Sequence, residues 1–226
     1  FTNRDLTVYT IAAGRGHEIV VKVLGEVFAG ILVSDCFTAY DHQALAAWLK
    51  QKCVGHLLKD LSALNESKTG GAVRFARDVT ATLRAALALR DQKPNLAPAD
   101  FEARAAQLET QLDALIDTRR QLTDADNARF AKRLRKHREH LLRFLYVDRL
   151  DATNNQAERM LRPAVITRKT GGCNRTQGGA ETHSILASVL TTCRQQGFSI
   201  LDSLVKIQRN AGTTLKSLAP PLLDTS

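Results

Sequence analysis

The sequence predicts an α/β fold interrupted by a long all-helical stretch. Short β-branched and apolar runs alternate with helically spaced apolar residues over residues 1–50. Residues 54–147 carry four successive apolar stripes at the helical period, and a mixed texture returns from residue 148. The expected division is therefore a first part of the core at 1–53, a helical insertion at 54–147, a second part of the core at 148–210 and a loose tail at 211–226.

The elements follow in order. Leu6 to Ala13 reads as a strand, punctuated by Gly14-Arg15-Gly16. His17 to Phe28 reads as a helix on the spacing of Ile19, Val20, Val23, Leu24 and Val27. Gly30 to Asp35 reads as a buried strand ending in a carboxylate, and Asp41 to Lys50 as a further short helix. The four stripes run through Leu57, Leu58, Leu61 and Leu64; Val79, Leu83, Ala86 and Leu87; Phe101 to Leu122; and Phe130 to Leu145. Pro94 and Pro98 bracket a loop, and Thr123-Asp124-Ala125-Asp126 offers a cap for the fourth helix. Asn154 to Arg162 reads as a helix stopped by Pro163, with a short extended piece at Val165 to Lys169. Gly171-Gly172 and Gly178-Gly179 flank a polar loop before a helix from Thr182 to Gln196, stopped by Gly197. Trp48 is expected in the core.

The 226 residues include 44% hydrophobic types, enough for a real core. Lys and Arg number 32 against 23 Asp and Glu, a net charge of +9. Such an excess points to a polyanionic partner, nucleic acid first, although charge alone leaves an ordinary basic surface equally open. No apolar run approaches the ~20 residues that span a bilayer, so no membrane role is expected. Cys36, Cys53, Cys173 and Cys193 form no C-x-x-C pair, which fits free thiols in a reducing cytoplasm. The chain opens on Phe1 and reads as part of a longer protein.

Two carboxylates stand out by position. Asp35 closes an apolar strand, and Glu158 sits on a helix in Thr153-Asn154-Asn155-Gln156-Ala157-Glu158-Arg159-Met160-Leu161-Arg162-Pro163. With a third carboxylate they could hold two Mg²⁺ ions, which favour oxygen ligands. On position alone a turn-forming Asp and a solvated Glu are the plainer readings. The local sequence adds more. Gly30 to Asp41 resembles the segment around the second catalytic Asp of IS66-family transposases, and Cys53-Val54-Gly55-His56 resembles the Cys-x-x-His segment that follows it there. Residues 151–163 resemble that family's Asn-Asn-x-x-Glu-Arg motif with its trailing Arg-Pro, and Arg168-Lys169 with the Gly-rich loop also fits.

The resemblance implies an RNase H-like core, N-terminally truncated, with a helical insertion between the second and third acids. Asp35 would be the second metal ligand and Glu158 the third, holding two Mg²⁺ or Mn²⁺ ions in the complete enzyme. The implied reaction is hydrolysis at transposon ends followed by strand transfer of the freed 3′-hydroxyl. Asp5 lacks the Asp-Glu-Thr-like context of the family's first acid, so the expectation is a chain inactive by itself. The implied partners are DNA at transposon ends and target, further copies of the chain and accessory proteins of the same element, in a bacterial cytoplasm at the nucleoid.

Arg159, Arg162, Arg168, Lys169 and Arg175 are the candidate phosphate contacts, with a solvated basic surface as the alternative. Asn154 and Asn155 start the Glu158 helix, where a cap suits Asn better than a DNA contact. His56 is expected to line the site or to serve structure, since Cys53 and His56 lack further metal ligands nearby. The cations from Arg129 to Arg143 could face DNA or form a polar helix face. A second function class remains: a non-catalytic, basic nucleic-acid-binding remnant, indifferent to loss of Asp35 or Glu158. A third is a structural fragment with no activity of its own.

Overall fold

A computed structural model describes residues 1–209, so the expected tail at 211–226 lies outside the described residues. They separate into two compact units. One comprises Ala29–Asn154; the other joins Phe1–Phe28 to the residues from Asn155 onward. Residues 29–53 thus pack with the helical stretch that follows them.

In the 29–154 unit, strand β1 (Ile31–Ser34) pairs in parallel with β2 (Leu49–Lys52), Ser34 lying opposite Lys52. β1 buries alternate residues, Leu32 and Ser34, and is half-buried where the sequence suggested full burial. The segment expected as a helix from Asp41 to Lys50 is two 3₁₀ turns, Thr38–Asp41 and Gln43–Leu45, followed by β2. Trp48 is buried, as anticipated. β2 inverts the usual pattern: Leu49 is exposed, while Lys50, Gln51 and Lys52 are buried. Gln51 is satisfied by donating to the Leu141 carbonyl at 2.8 Å and accepting from the Phe144 amide at 3.0 Å.

The helical part comprises α2 (Val54–Glu66), α3 (Val73–Gln92), α4 (Pro98–Ile116) and α5 (Ala125–Lys136). α3 packs against α2 and α4, and α4 against α5. The predicted stripes form their shared core, with Leu57, Leu61, Leu83, Leu112 and Leu134 at most 1% exposed. Each such leucine contributes about 1.5–3 kcal/mol of burial. Pro98 starts α4, where a missing amide costs no hydrogen bond. Asp124 caps α5 as anticipated, accepting from the Asp126 and Asn127 amides. The fourth stripe is not one helix. α5 ends at Lys136; Leu141, just after the 3₁₀ turn Arg138–His140, and Phe144 and Leu145, in the turn Arg143–Leu145, reach the same core.

The other unit holds α1 (His17–Leu24), α6 (Asn155–Gly171), α7 (Gln177–Gln196) and α8 (Ile200–Arg209). α1 stops at Gly25, whose φ of +86° suits glycine, so Val27 lies beyond the helix and is 94% exposed. The stretch read as a strand from Leu6 is extended, but it pairs with a helix. The amides of Thr7, Tyr9 and Ile11 donate to the hydroxyls of Thr192, Ser188 and Ser184 on α7, at 3.2, 2.9 and 3.0 Å. Ser184 and Ser188 pass their own protons to carbonyls one turn back on α7.

α6 runs through Pro163 instead of stopping there, and Val165 to Lys169 is helical, not extended. Pro163 removes one helical hydrogen bond but leaves more than a turn of helix on each side. The Tyr9 hydroxyl donates to the Met160 carbonyl in the turn just before it. Gly172 follows α6 with φ +75°, Thr176 caps α7 through the Gly179 amide, and Gly197 closes α7 in the left-handed conformation. The Phe198 amide returns to the Cys193 carbonyl at 2.8 Å, completing a Schellman closure.

Candidate active site

Asp35 follows β1 directly, at the carboxyl end of a parallel strand pair. Parallel strands leave their last carbonyls and the loops beyond them at one edge, where α/β proteins place ligands. Asp35 is half-buried, and its Oδ1 accepts the Phe37 amide at 3.0 Å, fixing the first turn of the loop. Burial raises the Tyr40 phenol above its ordinary value, with the Asp35 charge adding to the effect. Burial likewise raises the Cys36 thiol, while Lys52 and Arg133 oppose the rise.

A charged cluster beside this loop had no counterpart in the sequence reading. The Lys52 ammonium, whose side chain is fully buried, donates to Asp41 Oδ1 at 2.9 Å and to the Asp35 carbonyl at 3.2 Å. Asp41 Oδ2 takes Lys136 at 2.7 Å and faces His137 Nε2 at 3.5 Å. Burial would raise the Asp41 carboxyl, but the hydrogen bonds from Lys136 and Lys52 outweigh it and hold it below the usual value. Desolvation lowers His137 from 6.5 to about 4, so it is neutral at physiological pH.

That shift has a sign and a window. Between pH 6.5 and about 4 the unfolded chain binds a proton that folded His137 refuses, so stability rises with pH there and is lost on acidification. His137 alone should remove about 2–3 kcal/mol of unfolding free energy between pH 7 and pH 4. Asp41, lowered from 3.8, adds a further loss only below that window. Urea titrations at the two pH values check this. His137→Gln should flatten the acid limb, and an unchanged slope in that variant would rule the assignment out.

Cys53 is buried just before α2 and accepts the Asn154 amide through Sγ at 3.4 Å; His56 is half-buried in the first turn of α2. The Asn154 side-chain oxygen is buried without a hydrogen-bond partner among the described residues, so the expected cap is not made. The cations from Arg129 to Arg143 are largely spent inside the unit. Arg129 pairs with Asp126, Arg133 with Asp60 and Arg138 with Asp113, while Arg135 and Arg143 donate to the Ile116 and Lys50 carbonyls.

Glu158 belongs to the other unit, in the first turn of α6, and is exposed. Arg159, Arg162, Arg168, Lys169 and Arg175 are exposed as well. At about 100° per residue, Glu158, Arg162 and Lys169 fall on one face of α6, with Arg159 at its margin. Arg168 lies about 100° from the centre of that face, on the flank opposite Arg159, and Arg175 lies in the loop before α7. The side-chain amide of Gln156 donates from Nε2 to the Asn3 carbonyl at 2.7 Å, so the chain start holds the first turn of α6 at Gln156 and the second at Met160. Among the described residues, no group of three or more His, Cys, Asp or Glu is arranged to hold a metal ion.

The model of the family described as "Transposase IS66 family" matches residues 1–182. The chain belongs to the IS66 transposase family. The span matched to this transposase family contains both carboxylates and all five candidate phosphate contacts. The chain is also similar to "Uncharacterized protein y4qI" of Sinorhizobium fredii, 27% identical over 220 residues. That alignment covers 90% of this chain, which spans 40% of that relative's length. No solved structure matches the chain. Among its described residues no helix is long and apolar enough to cross a membrane.

Proposed function

We propose that this chain supplies the second and third metal-binding carboxylates, Asp35 and Glu158, of a DNA transposase with an RNase H-like core. Family membership supports a transposase-related role with DNA as the partner. The observation that carries the finer reading is the place of Asp35: a half-buried carboxylate at the carboxyl edge of a parallel strand pair, inside the family's span. Glu158 shares a helical face with Arg162 and Lys169, an arrangement suited to a carboxylate working beside DNA phosphates.

Both carboxylates offer the hard oxygen donors that Mg²⁺ or Mn²⁺ takes. The chemistry such ions supply when bound is activation of a water or a 3′-hydroxyl and stabilisation of the leaving oxygen. The chain's own part is to hold the two carboxylates and, through Arg159, Arg162, Lys169, Arg168 and Arg175, to bind backbone phosphate. Assembly of several copies on paired ends, and accessory proteins of the same element, belong to the same proposal.

The test uses the complete protein and DNA carrying the element's ends, with Mg²⁺, with Mn²⁺ or with EDTA. Cleavage that frees 3′-hydroxyl ends, followed by their joining to target DNA, is expected only with a divalent ion. Equal product in EDTA, or DNA bound but uncut with either ion, would overturn the reading.

A further inference from the structure

We infer that Lys52 is a positioning residue for Asp35: one buried ammonium clamps the Asp35 carbonyl and the Asp41 carboxylate, closing the loop that carries the proposed metal ligand. This rests on the reading of Asp35 as a ligand. The geometry is specific to that loop. The β1–β2 ladder ends where the Cys53 amide donates to the Ser34 carbonyl at 2.7 Å. The next carbonyl along β1 is that of Asp35, and Lys52 Nζ takes it at 3.2 Å. A side chain thus continues the strand pairing by one rung after the backbones part.

The same ammonium reaches Asp41 Oδ1 at 2.9 Å, six residues further on. Lys136, at the end of α5, holds the other Asp41 oxygen at 2.7 Å, and His137 packs beside it at 3.5 Å. The loop from Asp35 to Asp41 is therefore fixed at both ends, with the Asp35 turn set between them by the Phe37 amide. Burying an ammonium completely is costly unless its partners are well placed. A plain helical core needs no such group, whereas a loop that must present one carboxylate in one orientation does. Partners that orient a metal ligand commonly change metal affinity or activity by about 10- to 100-fold when removed.

The experiment compares Lys52→Met, Asp41→Asn and the double variant Lys52→Met/Asp41→Leu in the complete protein, with Asp35→Asn as control. End cleavage is measured against Mn²⁺ concentration and against DNA concentration, and folding by thermal unfolding. Each variant should cleave about 10- to 100-fold more slowly and need more Mn²⁺ for half-maximal rate, with KM for DNA unchanged. The double variant should be no slower than either single one, because both residues serve one clamp. Folded variants with the wild-type Mn²⁺ response, or losses that multiply in the double variant, would overturn the inference. If a single variant fails to fold, the double variant decides, since it leaves neither charge of the clamp buried alone. Full activity of Asp35→Asn would sink the ligand reading itself, and so separates that failure from failure of the clamp.

Discussion

Asp35→Asn and Glu158→Gln should each lower end cleavage by roughly a thousandfold while leaving DNA affinity within about twofold. Losing one charged ligand forfeits several kcal/mol of charge stabilisation in the transition state, and about 4 kcal/mol corresponds to three decades of rate. The candidate phosphate contacts on α6 and in the loop after it are exposed side chains and remain present in both variants. Glu158 is itself exposed, so its exchange for Gln should alter stability by no more than about 0.5 kcal/mol. Cleavage time courses at saturating Mg²⁺, set beside gel-shift titrations, separate the two quantities. Variants that cleave normally would remove both residues from the chemistry.

Asp41→Ala should cost about 3–5 kcal/mol in unfolding free energy, because it leaves Lys52 fully buried without its carboxylate. Lys52→Met should cost less. Asp41 is 11% exposed and keeps Lys136, whose side chain is 57% exposed and adapts readily. Lys52→Met/Asp41→Leu should recover most of the loss, since an apolar pair of similar size replaces a buried ion pair at little net cost. Chemical denaturation of these proteins, with Asp41→Leu alone to close the cycle, gives the coupling. Additive losses would mean that the pair is not a unit. Recovery of stability without recovery of cleavage would be the clearest sign that the pair serves Asp35 as well as the fold.

Much of this was legible from the chain, and the exceptions share a cause. The helical stripes were readable because the Leu57, Leu83, Phe101 and Phe130 faces repeat at the period at which a helix buries one side. The strand end at Asp35 was readable because an apolar run precedes it. β2 was not, because Leu49-Lys50-Gln51-Lys52 exposes its apolar residue and buries its polar ones, against the local pattern on which strand prediction depends. Its burial is stabilised by Asp41, Leu141 and Phe144, which lie far from it in the chain or inside 3₁₀ turns. The Lys52 clamp was hidden for the same reason. Pro163 misled because a proline usually ends a helix, and a hydroxyl from distant Tyr9 leaves no trace in the sequence around it. The basic run after Arg129 invited a DNA reading that charge counting could not resolve, and its partners Asp60 and Asp113 are remote in sequence.

The hydroxyl ladder on α7 behaves as a vernier. Two residues of extended chain advance about 6.6–6.8 Å, and four residues of helix advance about 6.0 Å. Each rung therefore adds a mismatch of roughly 0.7 Å, and two steps away from a centred rung the error approaches the tolerance of a hydrogen bond. A ladder of this kind limits its own length. Centred on Tyr9 and Ser188, it has one short hydroxyl rung on each side, Thr7 with Thr192 and Ile11 with Ser184. The next positions on α7 are Ala180, which has no hydroxyl, and Gln196, whose longer amide reaches the Asp5 carbonyl at 2.6 Å. The side chains on α7 thus change from short to long where the two periods fall out of step, and the register of the first strand-like segment is set by that arithmetic.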